Sequence, residues 1–323
     1  NLILKRNLKI KLSEDLSNII IGHTGYIGSF LLKEMIKNEE NILGISRKKL
    51  ILNNDFKSKN LFEIKTDIFR EKISNKLEYN SKSIIYICAH NVQTNFDERR
   101  KSLSSIFEKN ESYYKNFIDN IKYLKPAKLI FLSTGGSLYE NSKTSEPSTE
   151  DSILNPKSEY GLSKFLLEKF LINFSENYQI PLVILRLSTI YGYSYSMNKF
   201  GFINYLKKCS SKNITPVIYG KNTYRDYLHI KDLTAILLKI SKKKLLSNTY
   251  NLSYGKSYSC EEIYQTVKKT LNKNGLQLKE FEDHGTRSGE NCKIFISSEK
   301  LKKEMNWQPR MSINASLGDL LFK

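Results

Sequence analysis

Cysteine is scarce in this chain, and what there is lies scattered. Cys88, Cys209, Cys260 and Cys292 form no C-x-x-C pair and have no histidine at metal-ligand spacing. That argues against a structural zinc site, so no metal is expected, and it fits a reducing, cytoplasmic setting. Long apolar runs are missing too. No stretch reaches the roughly 20 residues that cross a bilayer, so no transmembrane segment is expected, and no signal-peptide pattern opens the sequence. Carboxylates are in deficit: 33 Asp and Glu stand against 52 Lys and Arg, a formal net charge of +19. Such a balance suits nucleic acid, an anionic membrane surface or small anionic substrates. The basic residues are spread out, with only short runs such as Arg47-Lys48-Lys49 and Lys242-Lys243-Lys244, so nucleic acid is not the expected partner. A hydrophobic content of 40%, with 11% aromatic, excludes disorder. The 323 residues suffice for two compact domains or one α/β domain with an elaborated lobe.

Glycine is sparse as well, 15 in all, so a cluster of three stands out. Ile19-Ile20-Ile21 reads as a short buried strand, and Gly22, Gly25 and Gly28 follow as G-x-x-G-x-x-G. Phe30, Leu31, Leu32, Met35 and Ile36 then recur with helical spacing. Glycines at a strand-to-helix turn let the backbone approach a ligand closely. The helix N-terminus behind them offers N–H groups and a positive dipole end, which suits a pyrophosphate. Gly22, Thr24, Gly25, Tyr26, Ile27 and Gly28 are therefore candidate dinucleotide contacts, with a plain tight turn as the alternative.

The second strand, Asn41 to Ile45, ends in Ser46-Arg47-Lys48-Lys49. An acidic side chain there would bind the ribose 2′-hydroxyl of NAD, whereas serine and arginine accommodate a 2′-phosphate. Ser46 and Arg47 thus favour NADP(H) over NAD(H), unless the loop is only a solvated basic turn. Phe62 to Ile68 reads as a third strand with Asp67 at its end, facing the adenine amino group beside Ile68. Ser83 to Ala89 is a fourth, its small Ala89 leaving room for a flat ring or its ribose. His90 follows as a pocket-lining residue. A helix over 102–124 and a fifth strand over 128–132 complete an alternation that predicts a doubly wound parallel sheet.

Chemistry is signalled next. Ser133-Thr134-Gly135-Gly136-Ser137-Leu138-Tyr139 closes the fifth strand with hydroxyls, and Tyr160 and Lys164 stand at i and i+4 near the start of a helix. An ammonium beside a phenol lowers the phenol's pKa toward neutrality, so that it serves as acid or base.

With these motifs in order, the sequence resembles the extended short-chain dehydrogenase/reductase family, which includes nucleotide-sugar epimerases, dehydratases and ketoreductases. Leu185-Arg186-Leu187-Ser188-Thr189-Ile190-Tyr191-Gly192 is similar to that family's R-x-x-N-x-Y-G segment. Arg225-Asp226-Tyr227-Leu228-His229-Ile230-Lys231-Asp232 is close to its R-D-Y-x-H-V-x-D. The tail from Arg287-Ser288-Gly289-Glu290 to Asn306-Trp307-Gln308-Pro309 resembles its closing pattern. The resemblance implies a Rossmann-type domain over 18–187, after an N-terminal extension over 1–17. A smaller discontinuous substrate lobe would occupy 188–323, with about 226–253 returning to the first domain.

The same resemblance implies a nucleotide-diphosphate sugar held by Arg225 and Arg287, with hydride transfer at sugar C4. Reduction of a 4-keto-sugar for glycan precursors of the O-antigen or capsule type is the favoured reaction. A 4-epimerase with tightly bound cofactor is the alternative, and a noncatalytic cofactor-binding sensor or complex partner is the second. The family's catalytic hydroxyl position is Gly135 here, so Ser137 or Thr134 must supply that group, with Ser137 first and both then meeting substrate alongside Tyr160. The acidic pair of 4,6-dehydratases is replaced by Gly135-Gly136, which disfavours a dehydratase. His229 is expected to pack or anchor a loop, and Gly201-Phe202-Ile203 to cover the nucleotide. Relatives dimerise through a four-helix bundle, so a homodimer through 102–124 and 159–178 is expected, with Phe165, Leu166, Phe170 and Leu171 serving either interface or core. The alternating Leu2 to Leu12 stretch reads as a packed or paired arm, with a partner-docking segment as the alternative.

Overall fold

The computed structural model describes residues 10–11, 16–49, 58–78, 82–90, 103–140, 146–193, 195, 201–244, 246–286 and 293–322. In chain order these form β1 (Ile10–Lys11), β2 (Asn18–Ile21), α1 (Tyr26–Lys37), β3 (Ile42–Ser46), β4 (Leu61–Lys65), β5 (Leu77–Glu78), β6 (Ser83–Ile87), α2 (Leu103–Tyr123), β7 (Pro126–Thr134), α3 (Glu159–Tyr178) and β8 (Leu182–Leu187). There follow β9 (Thr189–Tyr191), α4 (Phe202–Ser211), β10 (Val217–Ile218), β11 (Tyr224–His229), α5 (Ile230–Ser241), β12 (Asn248–Leu252), β13 (Ser257–Ser259), α6 (Cys260–Asn272), β14 (Glu282–Asp283), β15 (Lys293–Ile294), α7 (Glu299–Met305) and α8 (Ile313–Phe322).

Seven strands make one sheet in the order β12-β8-β7-β6-β2-β3-β4, every pair parallel. A parallel sheet must be covered on both faces, and the side-chain alternation of its strands supplies two cores. Ile19, Ile21, Ile85, Ile87 and Phe131 face α2 and α3, meeting Phe117, Ile121, Leu167 and Leu171. Ile20, Ile42, Tyr86 and Ile130 face the other way onto Leu31, Leu32 and Met35 of α1 and Leu233, Ile236 and Leu237 of α5. Each fully buried aliphatic side chain contributes about 1.5–3 kcal/mol. This is the Rossmann-type α/β fold that the alternation predicts, and it sets the C-terminal ends of the strands against the glycine turn. Strand β12 brings the chain back to the edge of this sheet after an excursion.

The excursion and the C-terminus form a third core, in which Ile203 and Leu206 of α4 meet Tyr264, Val267 and Leu271 of α6 and Leu317 and Leu321 of α8. A smaller four-stranded sheet of β13, β11, β15 and β9 sits with it. Two carboxylates fix this lobe. Asp226 accepts from the backbone N–H groups of Tyr254 and Gly255 at 2.8 and 2.7 Å. Asp232 accepts from those of Arg310 and Met311 at 3.1 and 2.9 Å.

Several boundaries differ from the sequence reading. The third strand stops at Lys65, so Asp67 lies just past it, and the fifth runs from Pro126 through Thr134. Ile10–Lys11 pairs in parallel with Leu77–Glu78, as a paired arm would. On α3, Leu166 and Leu171 belong to the sheet-facing core, while Phe170 is partly buried against Phe107 and Tyr114. Phe165 is also only partly buried.

His229 caps α5: its Nδ1 accepts the N–H of Lys231 at 3.2 Å. Burial first, then the charge of Lys231, pushes the imidazole down to about 4 against the opposing pull of Asp319. The folded protein therefore resists a proton that the unfolded chain accepts at its ordinary value of 6.5. Stability is complete above that value and is expected to fall as pH drops toward about 4. His229→Asn, which keeps a capping oxygen without titrating, should flatten that part of a urea-midpoint profile against pH.

Candidate functional site

A cleft of about 300 Å³ opens at the ends of β2, β3, β4 and β6. Gly22, Thr24, Gly25, Ser46, Arg47, Asp67, Ile68 and Ala89, the candidate cofactor contacts, all line it. Lys48, Thr66, Phe69, Cys88 and His90 line it as well. Gly22 has φ +89°, a left-handed conformation that glycine adopts without strain, and a Cβ there would lie 2.9 Å from Ala89. A Cβ on Gly28 would overlap the Gly22 carbonyl oxygen, so the turn closes only with hydrogen at both positions. Gly25 is the N-cap of α1, which aims that helix's first N–H groups at the cleft. The hydroxyl of Thr66 is buried and lies on a residue of the cleft wall. Cradle and buried hydroxyl together fit a dinucleotide.

Tyr26 and Ile27 stand in the first turn of α1 rather than on the cleft wall. The Tyr26 hydroxyl donates instead to the Gly192 carbonyl at 3.2 Å, and burial pushes its pKa up. At the end of β3, Thr24 Oγ1 donates to Ser46 Oγ at 3.2 Å, and Ser46 in turn bonds the Lys48 carbonyl. Asp67 Oδ1 accepts the N–H of Phe69 at 3.1 Å.

Ser158 starts α3 by accepting the Gly161 N–H at 3.0 Å, so Tyr160 and Lys164 fall on its first two turns. The ring of His90 stands edge-on to that of Tyr160, centroids 5.8 Å apart at 79°. Lys164 is 4% exposed. The expected acidification of Tyr160 is not the state of this structure. The Lys164 ammonium is drawn inward, donating to the Leu132 carbonyl at 2.6 Å and lying 5.9 Å from the Tyr160 ring centroid. Burial pushes the phenol up to about 12 and the amine down to about 8. Tyr160 is thus a neutral phenol, a proton donor.

Beyond Lys164, the same face of α3 carries Glu168, which no sequence motif singles out. Glu168 accepts Nε and NH2 of Arg186 at 3.2 and 2.8 Å. Arg186 NH1 donates to the Tyr139 hydroxyl at 3.1 Å, and that hydroxyl donates to Asn251 Oδ1 at 2.6 Å. This buried network ties α3, β8, β12 and the hydroxyl-bearing turn together. Its sequence signal was the i+4 step from Lys164, since residues at that spacing share a helix face.

In that turn, Gly135 donates its N–H to the Leu187 carbonyl at 2.8 Å. A Cβ at Gly135 would lie 2.5 Å from Ile296 Cδ1, and one at Gly136 would lie 2.9 Å from Ile294 Cδ1. Thr134 is buried at the end of β7, and Ser137 is partly buried, its carbonyl packed so closely on Gly161 that a Cβ there would overlap it. Arg225 lies on β11, NH1 donating to the Tyr224 carbonyl at 2.8 Å. Asp226 on the same strand and Asp232 on α5 both accept backbone N–H groups. Arg287 lies outside the described residues. Ile203 is buried in the lobe's own core and Phe202 packs against that core.

A family model described as the NAD dependent epimerase/dehydratase family matches residues 18–253. The chain belongs to that family. Within the extended short-chain dehydrogenase/reductases, this epimerase/dehydratase family member is an enzyme, and its relatives act on nucleotide sugars. It is 25% identical over 315 residues to dTDP-4-dehydro-6-deoxyglucose reductase of Escherichia coli, covering 94% of this chain and 96% of the relative. It is 24% identical over 329 residues to UDP-glucose 4-epimerase of Mycoplasma pneumoniae, with 93% and 94% covered. Its fold matches UDP-glucuronic acid 4-epimerase of Bacillus cereus, solved with UDP-glucuronic acid and NAD, at TM-score 0.76, 20% identity and 94% and 98% coverage. UDP-glucose 4-epimerase of Thermus thermophilus, solved with NAD, matches at TM-score 0.76, 18% identity and 94% and 97% coverage. No helix among the described residues is long and apolar enough to cross a membrane, and no group of three or more His, Cys, Asp or Glu among them could hold a metal ion.

Proposed function

We propose that this enzyme reduces a 4-keto group on a nucleotide-diphosphate hexose with NADPH, in the supply of glycan precursors. The observation that carries the direction is the ribose end of the cleft, where Ser46, Arg47 and Lys48 line the wall and β3 ends without a carboxylate. Those groups suit a 2′-phosphate, and a cofactor released each turnover draws on the reduced NADPH pool. The cleft residues Gly22, Thr24, Gly25, Asp67, Ile68 and Ala89 hold the dinucleotide, with the Tyr26-Ile27-Gly28 turn presenting backbone N–H groups to its pyrophosphate. Bound there, the nicotinamide supplies the hydride. Tyr160, a neutral phenol, gives its proton to the oxygen at C4. Lys164 steadies the phenol and the cofactor ribose once ligands reorganise its hydrogen bonds. Arg225, with Arg287 from the substrate lobe over 188–323, grips the diphosphate, for which guanidinium forks are suited. Ser137 and Thr134 are the hydroxyls on the neighbouring turn. Elimination of water as in 4,6-dehydratases has no carboxylic pair at Gly135-Gly136 to drive it.

A 4-epimerase with resident NAD is the second reading, favoured by the likeness to UDP-glucose 4-epimerases. The test uses purified protein. Oxidation of NADPH in preference to NADH with a dTDP- or UDP-4-keto-hexose supports the reductase. Retained NAD⁺, with interconversion of UDP-sugars and no added cofactor, overturns it in favour of the epimerase. Binding without turnover across such sugars would mark a sensor or complex partner instead. The half-buried Phe165 and Phe170 on α3 suit a homodimer in which α2 and α3 pair with their copies, in the cytoplasm.

A further inference from the structure

A carbonyl oxygen that gains charge during hydride transfer is stabilised by hydrogen-bond donors, and the position where the family resemblance expects a hydroxyl offers none. Gly135 carries no side chain, and the space a Cβ would enter is held by Ile296, which is 1% exposed. Ile296 is itself pinned: its carbonyl accepts from Ser253 Oγ at 2.8 Å, and the next residue donates N–H to Ser148 at 2.8 Å. A hydroxyl at position 135 would have to displace a packed isoleucine. Just past the end of β6, Cys88, Ala89 and His90 line the dinucleotide cleft. Of these, His90 also touches the proposed acid, its ring edge-on to Tyr160. An imidazole in either tautomer keeps one N–H, so it donates at any pH without having to be charged.

We propose that His90 is a catalytic residue that donates the second hydrogen bond to the reacting sugar oxygen, standing in for the hydroxyl that Gly135 lacks. This rests on the hydride-transfer reading above. In the reducing direction, C4 gains the hydride and its electron pair from NADPH, and the former carbonyl oxygen takes the proton of Tyr160. The imidazole keeps its own proton throughout and shares the negative charge that builds on that oxygen.

The test compares kcat for 4-keto-sugar reduction across variants, with cofactor binding by thermal shift as the check on folding. His90→Phe retains a ring against Tyr160 but no N–H, and should lose about 10²–10³-fold in kcat at saturating cofactor, the effect of removing one such donor, while a cofactor-induced thermal shift persists. His90→Asn or His90→Gln, which set an amide N–H near one or other ring nitrogen, should recover part of the loss. Adding Gly135→Ser with Ile296→Ala to His90→Phe should also recover rate, a rescue that a purely structural role for His90 would not give. Wild-type kcat in His90→Phe, or a loss of that size falling on Ser137→Ala or Thr134→Val instead, overturns the assignment while leaving the reductase intact. Absence of turnover in the wild-type protein, or full activity in Tyr160→Phe, overturns both.

Discussion

Tyr160→Phe should lower kcat by about 10²–10⁴-fold, the usual worth of a positioned general acid or base. Cofactor binding should survive, because the cleft lining is drawn from the glycine turn and strand ends rather than from α3. The substitution removes one oxygen from a ring already packed beside His90, so the fold is not at risk. Steady-state kinetics with NADPH, paired with a cofactor-induced thermal shift, checks both halves. If activity persists, the reaction does not run through this phenol. If the cofactor shift disappears as well, Tyr160 serves binding more than proton transfer.

The largest effect on stability is expected at Arg186. Its guanidinium and the Glu168 carboxylate are buried together, with side chains 8% and 2% exposed. Removing one partner strands the other charge in a low-dielectric interior, which costs about 3–5 kcal/mol. Arg186→Met alone should therefore lower the urea midpoint sharply, out of a total stability on the order of 5–15 kcal/mol. Arg186→Met combined with Glu168→Leu should recover much of that loss, since apolar groups of similar volume replace a buried pair at little net cost. Recovery will be incomplete, because Tyr139 also loses the donor that Arg186 supplies. Additive losses in the double variant would show that the pair is not the unit that holds α3 to β8. The pair lies one turn past Lys164, so destabilised variants should also show a lowered kcat at temperatures where they remain folded.

Much of the fold was legible because local backbone geometry writes itself into sequence spacing. Ile19-Ile20-Ile21 reads as a buried strand, and in the structure Ile19 and Ile21 enter one core and Ile20 the other. The helix α3 begins where Ser158 can cap it and carries Tyr160 and Lys164 at the expected spacing. The glycines at 22, 25 and 28 required a turn in which no side chain fits. Strand ends were less sharp, since Thr134 and Lys65 differ from their neighbours by packing rather than by propensity.

By itself the sequence determined the strand–helix alternation, the glycine turn and the tyrosine–lysine spacing, because each depends on residues within a few positions of one another. Only the tertiary structure decided where the Lys164 amine points, which side chain fills the space at Gly135, what Arg186 binds and which ring meets Tyr160. Those outcomes join residues far apart in the chain. A buried amine takes whichever acceptor the packed interior presents, and here that is the Leu132 carbonyl. Burial then fixes Tyr160 as a neutral donor, which no spacing rule could have stated.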